Sequence, residues 1–183
     1  MKSIVKLLSF VLLLGSATTA QAGLLVEPIL GLNVNHKLEG GGDDLSGLGG
    51  AYGARLGYQN YGFQLGLDYL ASSTDMDDDA FKNNFKSQDW GAFVGFEFPI
   101  LVRVYAGYIF SSTGEAKLKT GGSAKLEGGS GTKIGIGFTG LPFVDINVEY
   151  RRGTYDDVKF AGVKGSDVDF SSTMLSISLP LNL

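Results

Sequence analysis

The sequence predicts an all-β fold, an eight-stranded antiparallel up-and-down transmembrane β-barrel. The first observation is strict alternation of apolar and polar residues, clearest in 144–151, which is the pattern of a β-strand with two different faces. The second is that alternating stretches recur in units of hairpin size. The third is that short and long connections alternate along the chain, as in a barrel whose two ends face different compartments. The four units span 23–60, 61–100, 101–141 and 142–183.

The segment 1–22 has the features of a secretory signal peptide. Two lysines precede an apolar run, 7–14, that is too short to span a bilayer. Small residues at Ala20 and Ala22 match a cleavage site, so the outer-membrane β-barrel domain is predicted to span 23–183; a retained membrane anchor is the alternative. Removal of the signal peptide takes away two lysines and no acidic residue, which changes the net charge from −4 to −6. This balance disfavours nucleic acid as a partner, because phosphates require a basic surface.

Four strands are predicted in the first half of the chain. A polar, glycine-rich loop follows the first strand. A tight turn at 59–62 follows the second, because Asn60 and Gly62 accept positive φ. The segment 72–88, with several aspartates, is predicted to be a loop between the third and fourth strands, and Pro99 marks a short connection after the fourth. The alternating segments are 24–35, 50–59, 63–69 and 90–98.

Four more strands are predicted in the second half. A long segment rich in glycine, lysine and glutamate separates the fifth strand from the sixth. It contains two similar four-residue segments, 116–119 and 124–127, and this short repeat indicates a hairpin tip extended beyond the main sheet. A turn at 140–142 leads into the seventh strand, and the segment 153–166 precedes the eighth. The alternating segments are 102–110, 133–139, 143–151 and 175–183.

Alternation alone does not say which face points outward, since a soluble barrel such as a lipocalin has its apolar residues inside. In this chain one face collects acidic and basic residues between glycines, and the other face is nearly free of charge on every strand. A surface in water should be rich in Lys and Glu, whereas buried charges are tolerated when they are paired. We therefore predict a lumen ion-pair network formed by Glu27, Arg55, Asp68, Glu97, Arg103, Lys133, Asp145, Glu149 and Arg151.

Aromatic residues on the apolar face indicate the same orientation. They lie toward the ends of the predicted strands, where transmembrane barrels carry aromatic residues at the two membrane interfaces. A soluble barrel has no need of such an arrangement on its outer surface. The predicted aromatic girdle consists of Tyr52, Tyr58, Phe63, Tyr69, Trp90, Phe98, Tyr108 and Tyr150.

Three strand segments, together with the signal peptide and an apolar alternating final strand, carry a resemblance to a known family. The chain resembles small bacterial outer-membrane β-barrel proteins of the OmpA, OmpX and OmpW type over essentially all of 23–183. The resemblance implies an outer-membrane location, a lipid and lipopolysaccharide environment, contact with the barrel-assembly machinery during biogenesis, and a monomer. One departure is the final residue, Leu183, where such proteins typically end in an aromatic residue. The three segments are Gly66-Leu67-Asp68-Tyr69, Gly95-Phe96-Glu97-Phe98 and Asn147-Val148-Glu149-Tyr150-Arg151.

The predicted function is structural or surface-interactive. Eight strands enclose an interior just wide enough to be filled by side chains, and the polar face adds bulky Phe93, Tyr105 and Phe143. The alternative is a narrow channel for ions or small apolar solutes, in which pairs such as Arg103 with Glu97 exchange partners. A soluble periplasmic ligand-binding barrel is a third interpretation.

No catalytic, cofactor-binding or metal-binding residue is predicted, and the protein is not expected to be an enzyme. The chain has no cysteine and one histidine, His36, which has the same strand parity as Val34 and is therefore predicted to point outward. No serine lies at a useful spacing from it. The acidic run 75–79 lacks the central glycine and terminal glutamate of a known calcium loop, so we interpret it as a solvated loop.

Overall fold

The computed structural model describes residues 22–39, 45–76, 81–118, 123–160, 163–164 and 167–183. The predicted signal peptide, apart from Ala22, lies outside the described residues, as do Asp77, Asp78 and Asp79 of the acidic run. Every regular element in the described part is a strand. The strands are β1 (Gly23–Glu39), β2 (Leu45–Asn60), β3 (Phe63–Met76), β4 (Phe81–Phe98), β5 (Val102–Leu118), β6 (Ser123–Leu141), β7 (Val144–Tyr155), β8 (Asp157–Phe160), β9 (Val163–Lys164), β10 (Val168–Ser178) and β11 (Leu181–Asn182).

Eight long strands close into an antiparallel barrel. Strands β1 to β7 pair in sequence order, β10 pairs with β7 on one side and with β1 on the other, and the β5–β6 pairing completes the ring. Because every long strand has two neighbours, the barrel leaves no open edge along its wall. The predicted fold class, an eight-stranded up-and-down barrel, is confirmed. No helix among the described residues is long and apolar enough to cross a membrane.

Short turns join the strands at one end of the barrel, which we call the turn end; the opposite end is the loop end. The turns lie at 61–62, 99–101 and 142–143. Each contains a residue with positive φ that is not glycine, namely Tyr61, Leu101 and Phe143. The tight turn predicted at 59–62 is present and Gly62 has positive φ, but Asn60 ends β2, and Tyr61 is the second left-handed residue of a two-residue hairpin turn.

At the loop end the strands extend further than the alternation predicted. The predicted loop 72–88 is strand over its described residues, since β3 continues to Met76 and β4 starts at Phe81. The short strand β8 pairs with β6 beyond the barrel, and β9 pairs with β8. These polar segments lack a clean period-two pattern, which is why sequence reasoning treated them as loops.

The barrel wall separates a polar inside from an apolar outside. Outward residues in the middle of the strands, such as Leu32, Leu67, Ile136 and Leu175, remain more than two-fifths exposed, whereas charged side chains on the other face are buried. A continuous apolar surface of this kind on a folded protein is a surface for contact with lipid. The predicted sense of the barrel, with charges inside, is the one observed.

A β-bulge in β1 overturns the prediction for His36. The pairing register shifts after Asn33 against both neighbouring strands, so Asn35 points outward and His36 points inward, where it is 3% exposed. The extra residue reverses the parity that simple alternation from Val34 implied.

Candidate functional site

The candidate functional site is the filled lumen, and its central residue is Glu27 on β1. The carboxylate of Glu27 accepts hydrogen bonds from Arg103, at 2.6 and 3.2 Å, and from Arg55 at 3.4 Å. Arg103 is on β5, which stands opposite β1 in the ring of eight strands, so its guanidinium spans the interior. Glu27 is fully buried and Arg103 is nearly so. The lumen is therefore crossed by a charged side chain at this level.

Ion pairs extend from Glu27 in both directions to form one continuous chain. Arg55 pairs with Glu149 at 3.0 Å, and Glu149 lies 3.5 Å from Arg151 on the same strand. Arg103 pairs with Asp145 at 3.3 Å. In order, the connected residues, which include Asp89 at one end, are Asp145, Arg103, Glu27, Arg55, Glu149, Arg151 and Asp89.

Aromatic rings and a separate ion pair fill the space beside this chain of ion pairs. The Arg55 guanidinium carbon lies 4.1 Å from the ring centroid of Tyr105 and 5.5 Å from that of Phe93, distances at which a cation is attracted to the face of a ring. Lys133 on β6 forms an ion pair with Asp68 on β3. These groups leave the charges desolvated but matched by opposite charge, the condition under which buried ions are tolerated.

Asp89 is a member of the network that sequence reasoning missed. It accepts hydrogen bonds from Arg151, at 2.7 Å, and from the Ser112 hydroxyl, which is also 3.0 Å from the hydroxyl of Tyr155. Asp89 has the same parity as Gly91 and would have been found if the fourth strand had been extended by one residue toward its start. Asn33 and Asn147 were given no part in the predicted network, and each accepts a hydrogen bond from an interior arginine, Arg151 and Arg103 respectively.

A layer of apolar side chains lies above the ion pairs at the loop end. It consists of buried residues from six strands, and the ring centroids of Tyr155 and Phe170 are 5.0 Å apart. His36 joins it, with its ring 5.3 Å from that of Phe85 and with neither ring nitrogen hydrogen-bonded to a described residue. The members are Leu38, Phe85, Ile109, Leu126, Tyr155 and Phe170. We call this group the apolar layer.

Eight of the nine residues predicted for the lumen network lie buried inside the barrel with an ion-pair partner. The ninth, Glu97, is half-buried near the turn end, where it accepts a 3.5 Å hydrogen bond from Gln59. The suggested pair of Glu97 with Arg103 is not formed, although the two residues are direct cross-strand neighbours. Arg103 reaches across the lumen to Glu27 instead, and Phe143, expected inside, is a half-buried residue of a turn.

The eight residues of the predicted girdle all lie on the outer face. Tyr69 is half-buried because its ring packs against Trp90, with ring centroids 4.9 Å apart, and the other seven are exposed. Phe63 and Phe98 lie next to the short turns, where each contacts Phe96. Phe96 was not included in the predicted girdle, although it shares the parity of Phe98.

The described residues hold no cluster of three or more histidine, cysteine, aspartate or glutamate side chains placed to bind a metal ion. The hydroxyl of Ser112 donates a hydrogen bond to Asp89. His36 lies in the apolar layer and has no hydrogen bond to either residue, so these three side chains do not form a serine–histidine–aspartate arrangement. The charged side chains in the lumen are instead arranged as ion pairs.

Comparison with known proteins identifies the fold. No family model matches the chain, and no curated protein matches it in sequence. Among solved structures, Neisserial surface protein A is similar, with a TM-score of 0.59, 18% identity, and coverage of 87% of this chain and 98% of that one. Ail, the attachment invasion locus protein of Yersinia pestis, solved with the heparin analogue sucrose octasulfate, gives a TM-score of 0.62, 17% identity, and coverage of 88% and 100%. The chain therefore has the fold of small outer-membrane β-barrel proteins, as its sequence resemblance implied.

Proposed function

We propose that the protein is an integral outer-membrane barrel that does not conduct, and that its role is structural, with surface contacts made by its loop end. The observation that carries this proposal is the occupied lumen, in which Arg103 extends from β5 to Glu27 on β1. Ions would have to pass two barriers in series, the ion-pair chain and the apolar layer. The apolar outer wall supports the membrane location and argues against a soluble ligand-binding barrel.

The loop end supports the contact role. There β5 and β6 remain paired, and their outward side chains include charged residues of both signs, with Glu115 and Lys125 opposite each other. Rigid strands that carry polar side chains beyond the membrane are suited to present a recognition surface. We propose no catalytic role, because the buried carboxylates and cations of the lumen are committed to ion pairs with one another.

Conductance across a planar lipid bilayer tests the proposal. The purified protein, shown to be folded by a shift of its electrophoretic mobility on heating, is expected to insert without discrete current steps. Reproducible steps in the unaltered protein would favour the narrow-channel alternative. Release of the protein from cell envelopes without detergent would contradict the membrane location.

Variants that shorten side chains in each barrier provide a matched control. Arg103→Ala opens the ion-pair level, and Phe85→Ala combined with Tyr155→Ala opens the apolar layer. The Arg103 variant alone and the double variant alone are each expected to give no current steps, because the other barrier remains in place. Current in the combined variant would show that the assay detects an opened lumen of this size.

A further inference from the structure

An apolar groove crosses the outer face of the barrel from Phe63 on β3, beside Phe96 of β4, to β7. It has a volume of about 590 Å³, within the roughly 300–1,000 Å³ range of ligand sites. Its floor is the backbone of Gly95, Tyr105 and Gly135, which are neighbours in the pairing register. Two rows of outward side chains form its walls: Val94, Ala106, Ile134 and Tyr150 on one side, and Phe96, Val104, Ile136 and Val148 on the other.

The groove rises toward the loop end as it passes from β4 to β7. Val94 is nearer in sequence to its turn at 99–101 than Tyr150 is to the turn at 142–143, although both belong to one register row. Strands of such barrels tilt by about 35–45°, so the groove runs obliquely through the lipid-facing surface. It can hold an extended hydrocarbon chain whose polar end lies toward the loop end.

Cationic side chains stand just above the upper end of this groove. Arg152 follows Tyr150 on the outward face of β7, roughly 7 Å further along the strand. It belongs to a register row in which Ser171 of β10 lies between Arg152 and Lys37 of β1, and Thr132 of β6 lies on the other side. Because β10 lies between β7 and β1, the Cα atoms of Arg152 and Lys37 are two strand spacings, or about 10 Å, apart.

Neither of these two cations has a charged partner among the described residues, unlike the four cations of the lumen. The nearest outward carboxylates in the register, Glu39 and Asp169, belong to the next row toward the loop end, and Asp169 accepts a hydrogen bond from Thr154. The side of Arg152 and Lys37 that faces the membrane is therefore open to an anion, at the level where the apolar surface ends.

We propose that the groove and these two cations form one binding site for a phosphorylated lipid of the outer leaflet. One acyl chain lies in the groove, and a phosphate accepts hydrogen bonds from Arg152 and Lys37, with the hydroxyls of Ser171 and Thr132 beside it. Charge-assisted hydrogen bonds to phosphate are strong, and a guanidinium can donate two in parallel. The site rests on the proposed outer-membrane location, because that membrane supplies the lipid at the loop end.

Native mass spectrometry of the folded protein in a non-ionic detergent tests the site with two probes. One is hexa-acylated lipid A, and the other is the same lipid after removal of its phosphates. One molecule of phosphorylated lipid A is expected to bind in preference to the dephosphorylated form. Arg152→Gln is expected to weaken binding of the phosphorylated form by about tenfold or more and to leave binding of the dephosphorylated form unchanged. Ala106→Trp fills the groove from outside and is expected to weaken binding of both forms.

Lys86→Gln is the matched control, because Lys86 is another outward cation but lies on β4 opposite Glu115. Equal binding of the two lipid forms, or equal effects of Arg152→Gln and Lys86→Gln, would overturn the proposal. Each variant is first shown to be folded by its mobility shift on heating, and Ala106→Leu replaces Ala106→Trp if the larger residue prevents folding. Because this assay measures no current, a conducting protein that still selects the phosphorylated lipid would disprove the filled lumen and leave the lipid site standing.

Discussion

Replacement of Arg103 by methionine is the sharpest test of the ion-pair chain in the lumen. Methionine keeps an unbranched side chain of similar length and removes the charge. The substitution leaves Asp145 without an ion-pair partner among the described residues. It leaves Arg55, at 3.4 Å, as the remaining ion-pair partner of Glu27 among those residues, and it breaks the hydrogen bond to Asn147.

The expected loss of unfolding free energy follows from the burial of these side chains. The side chains of Arg103, Glu27 and Asp145 are 1%, 0% and 6% exposed, so water cannot replace the lost guanidinium. Removing one partner from a buried pair costs about 3–5 kcal/mol, because an uncompensated charge remains. With a denaturant slope of about 1–3 kcal/mol per molar urea, the unfolding midpoint is expected to fall by at least roughly 1 M.

Reversible urea unfolding in lipid vesicles measures this change through the single tryptophan, Trp90. Its side chain lies on the outer face, so its emission shifts when it leaves lipid for water. The matched control is Lys159→Met, which breaks an ion pair with Glu127 at 2.6 Å whose two side chains are 48% and 44% exposed. Exposed pairs of this kind contribute little, so the control midpoint is expected to stay unchanged. Equal midpoints for Arg103→Met and Lys159→Met would refute the reasoning from burial.

Three further substitutions test local features by the same unfolding assay. His36→Phe is expected to stabilise the barrel by about 1 kcal/mol, because it removes two buried nitrogens without hydrogen-bond partners from the apolar layer; a loss of stability would show that those nitrogens are satisfied. Tyr61→Asn is expected to gain up to about 1–2 kcal/mol, because asparagine tolerates the positive φ of that turn better; an unchanged midpoint would contradict strain there. Gly135→Ala is expected to cost about 1–3 kcal/mol by crowding the ring of Tyr105, while Gly50→Ala, with open space around it, serves as the neutral control; equal effects would exclude crowding as the cause.

The alternation of the sequence predicted the central parts of the eight long strands and divided their residues between two faces, and the positions of charged and aromatic residues predicted which face points inward. Residues such as Glu27 and Arg55 are direct neighbours in the observed register and both lie inside, as their parity implied. Successive side chains of an extended backbone point to opposite faces, and because this is a local property it can be recognised from the sequence alone. Where one extra residue enters a strand, as between Asn33 and His36, the same rule gives the wrong face.

The pairing of interior charges could not be derived from the sequence. Glu97, named as a partner of Arg103 in the narrow-channel alternative, lies directly across from it on β4, but the two side chains do not form an ion pair. The arginine instead extends to β1, on the far side of the barrel, because ring closure and strand stagger decide which side chains meet in the lumen. Alternation carries no information about that stagger, and it likewise gave no sign of the extended strands at the loop end.

The connectivity of the ion pairs implies that their stabilisation depends on ring closure. Arg103 joins β5 to β1, Arg151 joins β7 to β4, and Lys133 joins β6 to β3, and none of these strand pairs are neighbours in the sheet. A partly closed sheet in lipid would therefore carry charges whose partners are still distant, and unpaired charges in an apolar medium are costly. Since these pairs form only when the ring is complete, the same interior that blocks the lumen also favours the closed barrel over open intermediates.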